Sequence, residues 1–159
     1  MVLEFLAGLA TYGYLGVFAM SLIGSATIVF PVPYFIVIFG LATTLNPVLL
    51  VVASALGSSI GELTAFFLGK YGSKLIVKKQ ARWFRLTEKW FRRNGFLTLV
   101  FLSAAPLPTD IGGIVAGTLG YSKGRFFLAI LIGKLVKFAV IVAAGYYSIT
   151  AITQYLGIV

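Results

Sequence analysis

Two proline pairs, Pro31-Val32-Pro33 and, 75 positions later, Pro106-Leu107-Pro108, each interrupt a long apolar run. Proline lacks a backbone N–H and its ring clashes with the preceding turn, so neither run continues as an unbroken helix. A short glycine-bearing apolar stretch follows each pair, and then a long hydrophobic segment that carries ionisable residues. The recurrence implies two copies of one element, and duplicated broken helices in membrane proteins tend to build a transport site.

The solvent is decided by composition. With 60% apolar residues, 11% charged residues and a mean hydropathy of +1.03, the chain is far more apolar than a soluble domain of its size. It reads as an all-α integral membrane protein. Its 159 residues hold four to six segments at roughly 20 residues per spanning helix, with no room for a separate soluble domain. The expectation is a single membrane domain over 1–159. There is no Cys and no His, which excludes disulfides, thiolate chemistry and Cys-ligated metals and removes the commonest general base and metal ligand. No metal or other cofactor is expected. The start, Met1-Val2-Leu3-Glu4, has an acid where a cleaved signal peptide would be basic, so none is expected.

No Lys or Arg precedes Lys70, whereas Lys70, Lys74, Lys78, Lys79, Arg82, Arg85, Lys89, Arg92 and Arg93 fall in one interval. The positive-inside rule places 70–95 in the cytoplasm of a cell-membrane protein. The net charge of +9 is thus a topology signal, and nothing around it resembles a nucleic-acid module. Lys78, Arg82, Arg85, Lys89 and Arg92 share one helical stripe, while Trp83, Phe84, Trp90 and Phe91 lie mostly off it. That pattern predicts an amphipathic helix on the inner membrane surface, with rings at the headgroup boundary and cations on lipid phosphates, each worth about 1 kcal/mol. Glu88 is spaced to pair with Arg85 and Arg92.

In the first repeat, about 14–69, Tyr14 to Val29 and Tyr34 to Leu45 are each short for a full crossing. They read as two arms of a re-entrant hairpin with Pro31 and Pro33 at its tip, followed by a turn at Asn46-Pro47 and a spanning helix, Val48 to Leu68. In the second repeat, about 96–147, Phe96 to Ala105 and Ile111 to Leu119 are the arms and Pro106 and Pro108 the tip; Phe126 to Tyr147 crosses outward, leaving 148–159 as an outer C-terminal segment. Offsets of 75 to 77 align Pro31 with Pro106, Gly40 with Gly117, Gly57 with Gly133 and Gly69 with Gly145. One hairpin enters from each side, which makes the repeat inverted. Broken backbone at membrane depth must be buried or face a cavity, so the tips should meet inside the protein.

Charge inside the membrane comes from three elements. Counting along the helices puts Glu62 roughly 10 Å and Lys134 roughly 13 Å from the inner ends of their segments. Lys137 lies one turn deeper, and Asp110 is at the second hairpin tip. An unpaired charge there costs several kcal/mol, so these groups pair, hydrate or change protonation. One reading is an ion-pair network, Glu62 with Lys134 and Asp110 with Lys137, that holds the halves together. The other is an inward-facing polar cavity where Lys134 and Lys137, with Lys123 and Arg125 near its mouth, attract an anionic headgroup while Glu62 or Asp110 exchanges a proton.

Gly57-Ser58-Ser59-Ile60-Gly61-Glu62 followed by Phe66-Phe67-Leu68-Gly69-Lys70-Tyr71-Gly72 resembles the glycine, acid, aromatic, glycine pattern of the DedA superfamily, also called VTT or SNARE-associated domain proteins. Ala105-Pro106-Leu107-Pro108-Thr109-Asp110, with Ala116-Gly117 and Phe126-Phe127, resembles its second re-entrant motif in the YqaA-like branch. The resemblance covers roughly Tyr14 to Tyr147. It implies opposed re-entrant loops and movement of polyprenyl phosphates or phospholipids between leaflets, with proton-coupled export also linked to the family. It carries Glu62 and Asp110 over as the motif acids. The chain departs from the pattern in having no acid between Gly24 and Phe35, and Ser103 and Thr109 stand where family members carry arginines.

The resulting expectation is a non-enzymatic lipid translocase whose partners are anionic phospholipid or polyprenyl phosphate, with protons and a homo-oligomer as further possibilities. A proton- or ion-coupled exporter of a small solute and a membrane scaffold binding anionic lipid are the alternatives. Lipid phosphatases and intramembrane proteases normally use His, the metal-dependent alcohol phosphotransferases need several aspartates, and this chain has one Asp. A Ser/Lys dyad at Ser103 is a remote further possibility.

Overall fold

Asn46-Pro47 is the strongest helix-start signal in the chain, and it is used as such. In the computed structural model, which describes residues 12–27, 34–76, 81–105 and 110–155, the Asn46 side chain accepts from the Val48 and Leu49 N–H groups at 3.0 and 3.3 Å. Pro47 takes the first helical position, where its missing N–H costs nothing. The described residues form helices and short turns, without strands. In chain order the helices are α1 (Gly13–Ala26), α2 (Tyr34–Gly40) with a 3-10 turn (Leu41–Thr43), α3 (Pro47–Gly61), α4 (Leu63–Ile76), α5 (Ala81–Ala104), α6 (Asp110–Thr118) and α7 (Lys123–Tyr155).

Among the described residues two rods are long and apolar enough to cross a membrane, Pro47–Gly72 and Lys123–Tyr155. The first is α3 and α4 joined at Glu62, whose φ of −66° and ψ of −17° keep the chain right-handed through the joint. The second, α7, differs from expectation. Its 33 residues extend about 50 Å, well beyond a hydrocarbon core of about 30 Å, so residues 148–155 continue the crossing helix and do not form a separate segment. The 14 residues of α1 and nine of α6 reach only about 21 and 13 Å, short of a crossing. Pro31, Pro33, Pro106, Pro108 and Lys78 lie outside the described residues.

The surface helix and the first arm of the second repeat are also one element. They meet in α5 at Asn94, whose extended backbone (φ −156°, ψ 89°) kinks it. The Asn94 side chain accepts from Leu97 N–H at 3.3 Å, so it caps the helix that leaves the kink.

Glycine sets how closely these rods approach. A Cβ on Gly57 would strike the Phe18 carbonyl of α1, and one on Gly61 the Leu22 carbonyl. On the other side of Glu62, Gly69 lies against the Ile114 carbonyl and Gly117 against the Phe66 carbonyl, so α4 and α6 pack backbone to backbone. Gly133 of α7 meets Ser103 and the Val100 carbonyl of α5, and Gly145 meets the Phe39 carbonyl of α2. Thr118 and Thr64 add interhelical bonds, donating to the Gly69 and Ala26 carbonyls at 3.2 Å each.

Two separate apolar cores result. One gathers Ala65, Phe66, Leu99, Ile114, Val115, Phe126 and Ile130, with Phe66 and Phe126 rings 4.9 Å apart. The other gathers Val17, Met20, Ile38, Leu50, Ala55, Phe138 and Val142. Phe91, expected at the lipid boundary, turns inward instead and packs edge-on against Tyr121 at 5.0 Å.

Candidate functional site

A layer of polar side chains separates the two cores. Along the first rod the order is Leu50 and Ala55, then Ser58, Ser59 and Glu62, then Ala65 and Phe66; along α7 it is Ala129 and Ile130, then Lys134, then Phe138 and Val142. From α1 come Ser21 and Ser25, and from α5 Ser103, all buried. Both long rods therefore become polar where they pass between the cores.

At the centre, the Lys134 ammonium lies 2.9 Å from Glu62 Oε2, with side chains 3% and 1% exposed. The Ser25 hydroxyl donates to the same oxygen at 3.1 Å. Oε1 of Glu62 has no partner among the described residues, and neither do the hydroxyls of Ser21 and Ser59. Such a carboxylate is unevenly satisfied, since one oxygen holds a cation and a hydroxyl while its twin is buried bare. A second hydroxyl pair, Tyr34 with Ser58 at 3.2 Å, links α2 to the same level. The Glu62–Lys134 pair is out of reach of solvent in this structure.

Asp110 and Lys137 border this centre and are half-buried. Asp110 feels the charges of Glu62, Lys134 and Lys137. The pairing of Asp110 with Lys137 offered by the sequence is not made among the described residues; the Lys137 ammonium donates to the Ala105 carbonyl at 3.3 Å instead. That carbonyl follows the last turn of α5, where no next turn of helix supplies an N–H. Lys123 and Arg125 are exposed on the first turn of α7, with Lys134 about 16 Å further along the helix from Lys123. The Lys123 ammonium lies 5.9 Å from the Phe67 ring centre.

On α5, Arg85, Lys89 and Arg92 are exposed, as is Trp90, and Arg92 binds Glu88 at 2.8 Å. Arg82 and Trp83 fall in its first turn, where only the backbone is described. Sequence reasoning missed Ser25, Tyr34 and the serines of the layer. A signal was present, since Ser21 and Ser25 are spaced four apart on one face of an apolar helix, and Ser58-Ser59 sit inside the glycine motif.

The model of the VTT domain matches residues 30–147 of the 159. The chain belongs to the VTT domain family. It is a multi-pass membrane protein, with two helices among the described residues long and apolar enough to cross. Over 99 residues it is 30% identical to inner membrane protein YqaA of Escherichia coli, a DedA-family member, covering 62% of this chain and 67% of that one. An uncharacterized protein of Methanocaldococcus jannaschii is 27% identical over 87% of this chain and 88% of its own. A Lactococcus lactis protein named alkaline phosphatase-like is 27% identical over 84% of this chain and 70% of its own. No solved structure matches the chain. Within the matched VTT region lie Glu62, Asp110, Lys134, Lys137 and Tyr34, whereas Ser21 and Ser25 precede it.

Proposed function

We propose that this VTT domain protein moves lipid between membrane leaflets, passing a phosphate-bearing headgroup through the polar layer. The observation that carries this reading is the Glu62–Lys134 pair, buried between two apolar cores with Glu62 Oε1 unpartnered. A buried ion pair contributes little net stability relative to an apolar replacement. Ionisable groups inside a membrane protein mark pathways by default. In the closed arrangement Lys134 neutralises Glu62. When the layer opens, a lipid phosphate takes Lys134 away from Glu62, whose bare oxygen then faces the same opening. Lys137, held among the described residues by the Ala105 carbonyl, would share the phosphate. The lysines thereby stand in for the arginines that Ser103 and Thr109 replace.

The finer architecture belongs to the same proposal. The two proline-broken segments are read as re-entrant hairpins of an inverted repeat. Supporting this, Gly57 and Gly133 each meet the first arm of their own repeat, whereas Gly69 meets Ile114 and Gly145 meets Phe39, each in the second arm of the other repeat. Ile114 and Phe39 are themselves 75 positions apart. The basic surface segment is read as cytoplasmic and the protein as a cell-membrane component. We also read it as non-enzymatic, although one relative is named alkaline phosphatase-like. A chain with one Asp and no His or Cys lacks the commonest general base and metal ligand of a hydrolase.

Leaflet exchange of fluorescent phospholipid and of polyprenyl phosphate in liposomes tests the reading. Exchange by the natural chain that falls at least tenfold in Glu62→Gln and in a Lys134→Met, Lys137→Met double variant supports it. No exchange of either lipid by folded, inserted protein overturns it and favours proton-coupled export of a small solute.

A further inference from the structure

The kink at Asn94 creates a feature that the polar layer does not use. Where the surface part of α5 bends into its membrane arm, a groove of about 510 Å³ opens, lined by Trp90, Arg93, Asn94, Leu97, Thr98 and Phe101. That volume is within the roughly 300–1,000 Å³ of small-molecule clefts. Its floor is an exposed apolar strip, with Leu97 60% and Phe101 58% exposed, one helical turn apart on the same face. At its head are Arg93, which is exposed, and Trp90, 54% exposed.

The charge at the head is not neutralised by any of the described residues. Arg93 has no ion pair among the described residues, and the nearest acid in sequence, Glu88, is held by Arg92 at 2.8 Å. Glu62 is buried against Lys134 in the polar layer between the cores. Asn94 spends its carbonyl oxygen on the Leu97 N–H, which leaves its amide N–H groups as donors beside the guanidinium. The groove thus presents a cation and amide donors, then an indole, then an apolar channel. Phe101 lies eight residues beyond Arg93, about 12 Å along the arm, which spans less than half of a hydrocarbon core of about 30 Å. Head chemistry and depth together match one amphiphile with an anionic head and an acyl tail. A bare apolar strip would meet acyl chains of any lipid; the unneutralised guanidinium at its top selects for charge.

We propose that the groove at the Asn94 kink is a discrete site for one anionic phospholipid of the leaflet in which the surface segment lies. Its phosphate binds Arg93 and the Asn94 amide, and an acyl chain runs along Leu97 and Phe101 beneath the Trp90 ring. The bound lipid braces the two halves of α5 across their joint. This site is distinct from the polar layer and stands whether or not lipid crosses there.

The chain has two tryptophans, so Trp83→Phe leaves Trp90 as a reporter inside the groove. In bilayers of the full chain, its fluorescence is titrated with phosphatidylglycerol brominated on the acyl chains, and separately with equally brominated phosphatidylcholine. The expected result is about fivefold preference for the anionic lipid, as for one cation at a membrane surface. Arg93→Gln should bring the ratio close to one, while Lys70→Gln, which removes an exposed charge elsewhere, should leave it unchanged. Equal quenching by the two lipids overturns the proposal. So does a loss in Lys70→Gln as large as in Arg93→Gln, since it would mean that the whole basic surface gathers anionic lipid without a site. Arg93→Lys, retaining the charge, should keep most of the preference and controls for misfolding.

Discussion

Glu62 shows how one side chain is defined by several elements at once. Its depth, its sign and the presence of a lysine at similar depth on another helix were readable from helical counting alone, because rise per residue is fixed. The contribution of Ser25 was not, since a serine in an apolar helix is chemically silent until another helix brings it a carboxylate. Nor was the uneven use of the two carboxylate oxygens, which depends on ångström-level placement of Lys134. Removing one partner of this pair should cost far more than removing both. Lys134→Met, leaving a buried carboxylate unpaired, is expected to destabilise by about 3–5 kcal/mol, and adding Glu62→Gln should restore most of it. Thermal unfolding in detergent, run as a double-mutant cycle, measures the coupling; additive losses would show that the two groups do not act as a pair.

The order of apolar segments and breaks was legible in the sequence at the scale of elements, because proline and asparagine act locally. Asn46-Pro47 starts a helix wherever the chain continues apolar, and it does so here. The joining of surface segment and membrane arm through Asn94 was not legible, as a single extended residue leaves the surrounding helical pattern intact on both sides. The extent of α7 was hidden for a related reason: Tyr146 to Tyr155 is less apolar than the crossing but contains no helix breaker. Packing between elements depends on the glycines unevenly. Gly117→Ala would press a methyl on the Phe66 backbone and should cost about 1–3 kcal/mol, whereas Gly40→Ala, with open space around it, should change stability by less than about 0.5 kcal/mol. Chemical or thermal unfolding of the two variants makes the comparison. Asn94→Ala removes the cap of the membrane arm and should cost about 1 kcal/mol, seen locally as faster hydrogen exchange at Leu97 N–H.

For the molecule as a whole, the absence of Cys turns a compositional fact into an experimental convenience. Arg92→Cys and Gln154→Cys lie on the surface segment of α5 and near the far end of α7, both exposed. If α7 crosses the membrane, a membrane-impermeant maleimide should label them from opposite sides, Arg92→Cys from the cytoplasm. Labelling of both from one side would overturn the proposed topology. The two cores share no side chain, and the layer between them holds hydroxyls, one ion pair and a carbonyl-bound ammonium, while both long rods run unbroken from one core into the other. The polar layer is therefore a seam pinned by two helices, as rivets pin a laminate. A lipid headgroup would enter it sideways, trading the layer's polar contacts for its own, while the rods keep the two packed blocks in register.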